Sequence, residues 1–279
     1  MLDRDGYPPG VPCWIDTAQP DAEAAVAFYG GLFGWEFEDR MPADVPGRYF
    51  VAQLHRRDVA AVGSQPEDHS GAPAWSTYVW VDSADEAAAR AEQAGGSVLS
   101  EPFDVVDAGR MAVLADAEGA AFCVWEARAS KGAQLVNEPG TWNFSALNTR
   151  DLERARAFYG AVFGWQAAAD DEFMTWRLPG YGDFLEQRDP DLRSRMAAVG
   201  APEGFEDVVA QLLPMASADA PAHWSVAFAV DDADTIAERA AQLGGTVVVE
   251  PFDAPWVRLT VVRDPQGAVF TASKFVPPG

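Results

Sequence analysis

The chain has 279 residues and a formal net charge of −23, from 20 basic and 43 acidic residues. This charge argues against binding to nucleic acids or to anionic membrane surfaces, since both are polyanions. The N-terminus lacks an apolar signal region and no stretch approaches membrane-spanning length, so we expect a cytoplasmic protein. Cys13 and Cys123 lie in apolar contexts and are expected as buried free thiols.

The first half of the chain predicts two successive β-α-β-β-β units. Residues 1–11 are polar and rich in Pro and Gly, which predicts a tail, and 64–74 form a polar linker between the units. The periodicities predict the following elements. The first unit has a strand at 13–16, a helix after Asp21, and strands at 35–38, 49–54 and 59–63. The second has a strand at 75–81, a helix at 84–94, and strands at 97–101, 110–116 and 120–126.

A nine-residue stretch in the first unit occurs again later in the chain. Residues 27–35 read AFYGGLFGW and residues 157–165 read AFYGAVFGW, so seven of nine positions are identical at an offset of 130. Further matches follow in the same order: Trp-Ser, Val-Asp, Gly-Gly, Glu-Pro-Phe-Asp and Asp-x-x-Gly. Such a repeat indicates two homologous domains. We expect domain 1 at 12–127, a linker at 128–141 and domain 2 at 142–276.

The second domain differs from the first by a long insert at 186–222. Its residues 205–213 have a helical pattern in an otherwise polar segment. Long loops in compact domains are often functional. We therefore expect the insert to cover domain 2, with Phe205 and Leu212 facing inward.

Four β-α-β-β-β units, with Phe-Tyr-x-x-x-Phe-Gly-Trp at the end of the first helix of each domain, resemble the vicinal oxygen chelate superfamily. This group includes glyoxalase I, bleomycin-resistance proteins and extradiol dioxygenases. The resemblance covers residues 12 to 275 and implies an α+β fold. Each of two tandem domains would curl its two units into a curved, cup-like sheet that holds a metal or ligand.

The resemblance also implies where metal ligands would lie, and these positions carry poor ligands. They are Trp14, Ser76 and Cys123 in domain 1 and Phe144, Ser225 and Thr271 in domain 2. A shift of two residues keeps the strand face and gives Asp16, Ala74 and Trp125, or Ala146, His223 and Ser273. A catalytic divalent metal needs about three protein ligands. The other histidines, His55 and His69, read as turn and linker residues. We therefore expect no metal and no cofactor.

The aromatic side chains on or near the strands predict a ligand-binding cup, although any one of them could instead belong to the core. The expected ligand-binding residues are Trp14, Trp75, Tyr78, Trp125, Phe144, Trp176, Phe184, Phe205, Trp224 and Ser225.

Two polar residues are candidates for acid–base chemistry. Asp16 shares a strand face with Trp14, and an unpaired carboxylate is costly to bury, so this face should line the concavity. His223 shares a face with Ser225 at the exit of the insert, and we expect it to point into domain 2 as the working site. A structural role for His223 is the alternative.

These observations leave three hypotheses for function. The first is a metal-independent protein that binds an apolar or aromatic metabolite or antibiotic. The second is a metal-independent isomerase, cyclase or lyase that uses Asp16 or His223 as general base. The third, least favoured by the residues, is a metal-dependent glyoxalase or dioxygenase. The expected partner is a small molecule, and the expected state is a monomer or weak homodimer.

Overall fold

A computed structural model describes residues 4–66, 71–169, 174–215 and 220–277. The predicted position of His69 lies outside this part of the chain. Domain 1 consists of β1 (Pro12–Gln19), α1 (Ala22–Phe33), β2 (Glu36–Asp39), β3 (Tyr49–Leu54), β4 (Arg57–Ser64), β5 (Trp75–Trp80), α2 (Ala84–Gln93), β6 (Ser97–Val105), β7 (Gly109–Ala115) and β8 (Ala121–Ala127). The two β-α-β-β-β units expected in domain 1 are confirmed.

Domain 2 repeats this order with two additional helices. It consists of β9 (Thr141–Thr149), α3 (Leu152–Phe163), β10 (Gln166–Ala169), β11 (Met174–Arg177), α4 (Tyr181–Glu186), α5 (Leu192–Ala198), β12 (Val208–Pro214), β13 (His223–Ala229), α6 (Ala233–Gln242), β14 (Thr246–Ala254), β15 (Val257–Arg263) and β16 (Val269–Phe275). A short 3-10 turn, Phe205–Asp207, precedes β12. None of the helices in the described ranges is long and apolar enough to cross a membrane.

Each domain forms one curved sheet of eight strands. The strand order is β2-β3-β4-β1-β5-β8-β7-β6 in domain 1 and β10-β11-β12-β9-β13-β16-β15-β14 in domain 2. The first strands of the two units pair antiparallel at the centre, while each pairs in parallel with the last strand of its own unit. The fold is therefore α+β, with two tandem domains of the predicted architecture.

The two copies of the repeated stretch begin and end their helices in the same way. The Asp21 carboxylate accepts a hydrogen bond from the backbone N–H of Ala24, and Asp151 does the same for Arg154. Both helices end at a glycine with φ of 74°, Gly34 and Gly164. Only glycine adopts this left-handed conformation at little cost.

The other repeated motifs meet where the two domains pack together. The Trp75 indole N–H donates to the Tyr29 hydroxyl (3.2 Å), which donates to the Asp264 carboxylate of the other domain (2.8 Å). At the equivalent positions of the repeat, the Trp224 indole N–H donates to the Tyr159 hydroxyl (2.8 Å), which donates to the Asp116 carboxylate (3.0 Å).

All six of these side chains are buried. Buried polar groups are costly unless they are hydrogen-bonded, and here each hydroxyl both accepts and donates. The motifs Phe-Tyr-Gly, Trp-Ser and Asp-x-x-Gly are therefore explained by the domain interface.

The N-terminal segment is not the free tail that its composition predicts. Tyr7 is buried and its hydroxyl donates to the carbonyl of Ala133 (2.6 Å). The carbonyl of Gly10 accepts from the indole of Trp165 in domain 2 (2.7 Å). The linker before domain 2 does the same for domain 1, since Gly140 accepts from Trp35 (2.7 Å). Each domain is thus held by the segment that precedes the other domain.

The prediction of a helix at 205–213 is wrong. Residues 208–214 form β12, which pairs in parallel with β9 as β4 pairs with β1. The extra chain therefore lies between β11 and β12, at 178–207, where domain 1 has the two-residue turn His55–Arg56. Leu212 is buried beside Leu147 on the helix-facing side of the sheet, so it does not face a ligand cavity.

Candidate functional site

The side of the domain 1 sheet away from the helices carries a buried polar cluster centred on Asp16. Register places Trp14 opposite Tyr78 and Asp16 opposite Ser76 in the β1–β5 pair. The parallel β5–β8 pair then brings Cys123 beside Tyr78. Strand side chains alternate between faces, so these residues share the concave face while Ile15 and Trp75 face the helices.

Two tyrosines and one tryptophan form a hydrogen-bonded chain around the carboxylate. The Oδ2 atom of Asp16 accepts from the hydroxyls of Tyr78 (2.8 Å) and Tyr49 (3.1 Å). The Tyr49 hydroxyl in turn accepts from the indole N–H of Trp14 (3.0 Å). Tyr49 is at the start of β3 and reaches the cluster from a strand two positions away in the sheet. These contacts fix the orientation of the carboxyl group.

Burial sets the protonation behaviour of the cluster. It raises the pKa of Asp16 from 3.8 to about 6, although hydrogen bonds from Tyr78, Tyr49 and Ser76 act in the opposite direction. Burial raises the pKa of both tyrosines well above the usual value, and the neighbouring Asp16 charge adds to this. The pKa of the Cys123 thiol is raised by burial as well. The tyrosines are therefore neutral donors near neutral pH, whereas Asp16 can gain or lose a proton there.

Part of the cluster can be reached from solvent. Tyr78, Cys123 and Trp125 are buried, whereas Trp14, Asp16, Tyr49 and Ser76 are only half-buried. Trp125 packs edge-on against Tyr78 with ring centroids 6.4 Å apart. A small molecule on this face would contact aromatic surface and a protonatable carboxyl together.

The equivalent face of domain 2 lacks this chemistry. Register aligns Asp16 with Ala146 and Tyr78 with Ala227, since Ala146 lies opposite Ser225 and Ala227 opposite Phe144. Ser225 accepts a hydrogen bond from the side-chain amide of Asn148 (2.9 Å). Here no carboxylate occupies the position of Asp16.

His223 lies at the rim of the domain 2 sheet. Register keeps it on the concave face, opposite Asn148, but its side chain is exposed. Its Nδ1 atom is 3.0 Å from the carbonyl oxygen of Pro221, two residues earlier. The ring does not point into an enclosed domain 2 site, contrary to the expectation.

Several other predicted ligand-binding residues belong to the core. Trp75 and Trp224 face the helices, because each immediately precedes a serine on the concave face and adjacent strand residues alternate. Trp176 is fully buried and packs against Tyr159. Predicting these three as ligand-binding residues was wrong for the same reason: large aromatics also build cores. Phe184 is half-buried and stacks on Tyr181 within α4, so its ligand-binding role stays a prediction.

The structure brings together Trp14, Asp16, Tyr78 and Trp125 from the predicted set. It places Phe144 and Phe205 elsewhere, in a pocket at the end of domain 2. Sequence reasoning missed Tyr49. The turn between β3 and β4 gives no signal for Tyr49, because a register shift between Ala52 and Gln53 is what places Tyr49 opposite Gly63.

The donor set around Asp16 does not fit a catalytic divalent metal. It offers one carboxylate, two neutral phenols and a thiol whose pKa is raised, whereas such a site uses about three good ligands. Across the described ranges, His, Cys, Asp and Glu side chains do not gather in groups of three that could hold a metal ion. The expected metal independence of the chain stays a prediction.

Comparison with known proteins agrees with this architecture. The profile of the Glyoxalase/Bleomycin resistance protein/Dioxygenase superfamily matches residues 14–124 and 142–271, one segment in each domain. The chain belongs to this superfamily. It is 37% identical over 282 residues to "Putative glyoxylase CFP32" of Mycobacterium tuberculosis (strain CDC 1551 / Oshkosh), covering 99% of both chains. It is 34% identical over 277 residues to "Anthracycline biosynthesis protein DnrV" of Streptomyces peucetius, covering 95% and 93%.

Solved structures resemble the fold at low sequence identity. The Mn(II)-bound glyoxalase from Novosphingobium aromaticivorans matches with a TM-score of 0.59 and 16% identity, over 95% of this chain and 82% of that one. The 2,3-dioxygenase LapB from Pseudomonas sp. KL28 matches with a TM-score of 0.57 and 11% identity, over 97% and 95%. At such identities the likeness concerns the fold alone, and chemistry must be argued from the residues.

Proposed function

We propose that the chain binds a small organic molecule on the concave face of domain 1, without a metal. The observation that carries this proposal is the half-buried Asp16 carboxyl, held by Tyr49 and Tyr78 and flanked by Trp14. A carboxyl with a raised pKa beside aromatic surface is typical of a binding or catalytic site. In its ionised form it lowers the stability of the fold, because its pKa is raised in the folded state.

The chemistry of the face defines the class of ligand. The half-buried Trp14 provides flat apolar surface, which suits an aromatic or apolar body, whereas Tyr78 and Trp125 are buried. Asp16 and Tyr49 provide hydrogen bonds, so the ligand should carry a hydroxyl or carbonyl oxygen. A relative described as an anthracycline biosynthesis protein is compatible with an aromatic ligand.

A second candidate function is acid–base catalysis by the same cluster. The pKa of Asp16, about 6, is close to neutral, where a general base works best. Asp16 would remove a proton from a carbon next to a ligand carbonyl and return it to another atom of the same molecule. To stabilise the oxygen that gains negative charge, Tyr49 would turn its hydroxyl proton from Asp16 Oδ2 to that oxygen. Such an isomerisation needs no external oxidant or reductant.

Ligand binding can be tested with a matched set of variants. Phenols and aromatic ketones would be screened against untagged protein by native mass spectrometry and tryptophan fluorescence. Asp16→Asn should weaken binding at least tenfold, while Ser225→Ala, on the concave face of domain 2 at the position that matches Ser76, should change it less than twofold. Unchanged binding in Asp16→Asn together with loss in Ser225→Ala would overturn the proposal.

Proton exchange separates binding from catalysis. Bound ketones would be incubated in D₂O with and without a chelator, and exchange at the carbon next to the carbonyl followed by NMR. Exchange that persists with chelator and is lost in Asp16→Asn supports the enzyme. Binding without proton exchange in either protein supports the binding function and argues against this catalysis.

A further inference from the structure

A pocket lies at the end of domain 2, outside the Asp16 cluster. It has a volume of about 120 Å³, enough for several water molecules. Its walls come from the N-terminal segment, the interdomain linker, the start of β9, α4, α5, the 3-10 turn and the start of β12. It exists because residues 178–207 replace the short turn of domain 1.

One of the lining residues is an arginine with unusual surroundings. Arg4 is partly buried, and its guanidinium donates to the Tyr181 hydroxyl (2.7 Å) and lies over the Tyr7 ring at 5.1 Å. Among the described residues, no carboxylate lies within ion-pair distance of Arg4. This is notable in a chain with 43 acidic and 20 basic residues.

One residue of the pocket wall carries an unpaired hydrogen-bond donor. Trp142 lines the pocket and is 5% exposed, yet its indole N–H is buried and has no partner among the described atoms. A buried donor without a partner costs about 1–3 kcal/mol. A ligand oxygen that reaches this N–H would relieve that cost.

The remaining lining is mostly apolar, and it includes two asparagines, Asn137 and Asn143, and one carboxylate that is already paired. Tyr7, Phe144, Phe205 and Leu185 supply apolar surface. Glu206 also lines the pocket, but Arg193 donates to it at 2.8 Å. The guanidinium of Arg4 is therefore available to an anion.

We propose that this pocket binds a small organic carboxylate with a short apolar chain. Arg4 pairs with the carboxylate, since the planar guanidinium matches the geometry of its two oxygens. The Trp142 indole N–H donates the second hydrogen bond, and the aromatic walls contact the chain.

Butyrate is the probe, and butyramide is the uncharged control of the same shape. Binding is followed by NMR, at the indole N–H resonance of Trp142 and at the backbone amide of Asn143, which also lines the pocket. Butyrate should shift both resonances in a saturable way, and butyramide at least tenfold more weakly. Absence of a saturable shift with butyrate would refute the proposal.

Variants assign the interaction to these side chains. Arg4→Met should weaken butyrate binding at least tenfold, measured at the Asn143 amide, and Arg4→Lys less, because the charge remains but the planar group is lost. Trp142→Phe should weaken it several-fold while keeping the packing. Arg154→Gln, on the exposed side of α3, should have no effect. Equal affinity in Arg4→Met, Arg4→Lys and the unmodified protein would contradict the assignment.

Butyrate binding in this pocket should be independent of the Asp16 site. Asp16→Asn should leave butyrate binding at Asn143 unchanged, so that a failure of either proposal is distinguishable from a failure of the other. Loss of the butyrate response in Asp16→Asn would show that the probe reads the other site and would overturn the proposal.

Discussion

Replacing Asp16 by Asn should make the protein more stable at pH 8 and have a smaller effect at pH 5. Burial raises the pKa of Asp16 in the folded state from 3.8 to about 6. In the interval between these values the folded protein keeps a proton that the unfolded chain has lost. Stability from this group is therefore highest at low pH and falls as the pH rises through about 6.

The size of the stability change follows from the pKa shift of Asp16. Two pKa units correspond to about 3 kcal/mol of lost stability above pH 7. Roughly half of that loss remains at pH 5, where the unfolded carboxyl is mostly ionised and the folded one mostly protonated. Asn has nearly the same shape and still accepts hydrogen bonds from Tyr49 and Tyr78. The stability difference between the variant and the unmodified protein should thus shrink by about 1.5 kcal/mol from pH 8 to pH 5.

Urea unfolding followed by tryptophan fluorescence at pH 5, 6, 7 and 8 measures this difference. Asp82→Asn, at an exposed position after β5, is the control for removing one negative charge from a strongly acidic protein. A stability difference that does not vary with pH, or that grows toward pH 5, would refute a raised pKa for Asp16.

Three further predictions concern the interface, the N-terminal segment and metal content. Tyr159→Phe should lower the free energy of unfolding by about 1–3 kcal/mol, because it leaves the Trp224 indole and one Asp116 oxygen without their partner in the core. Urea unfolding measures this change, and an unchanged urea midpoint would contradict the prediction. Tyr7→Ala should lower the free energy of unfolding by about 3 kcal/mol, because a buried ring is removed. Tyr7→Phe loses only the hydrogen bond to Ala133 and should lower it by about 1 kcal/mol. Equal melting temperatures for both variants and the unmodified protein would show that the N-terminal segment does not stabilise the fold. Untagged protein should contain no stoichiometric zinc, iron, nickel or manganese by elemental analysis, because the Asp16 cluster offers one carboxylate.

The internal repeat made the fold predictable from sequence. Two copies of the same motifs required two similar domains, and the capping aspartates and terminal glycines fixed both helices to within a few residues. The function of the repeated tyrosines was not predictable, since Tyr29 and Tyr159 bond to aspartates 235 and 43 residues away in sequence. Only the packing of one domain on the other brings those groups together.

The site was partly predictable because strand alternation is a local property. It placed Trp14 with Asp16 on the concave face, and it should also have excluded Trp75, which precedes a residue on that face. β12 was misread as a helix because Val208–Leu213 has one polar residue, Gln211, and its burial does not alternate clearly along the strand.

A crystal structure of the protein with the ligand found in the screen tests the central claim most directly. The ligand should lie on the concave face of domain 1, with an oxygen within hydrogen-bond distance of Asp16 or Tyr49 and its apolar part against Trp14. A ligand bound on the concave face of domain 2, with the Asp16 face left empty, would contradict the account.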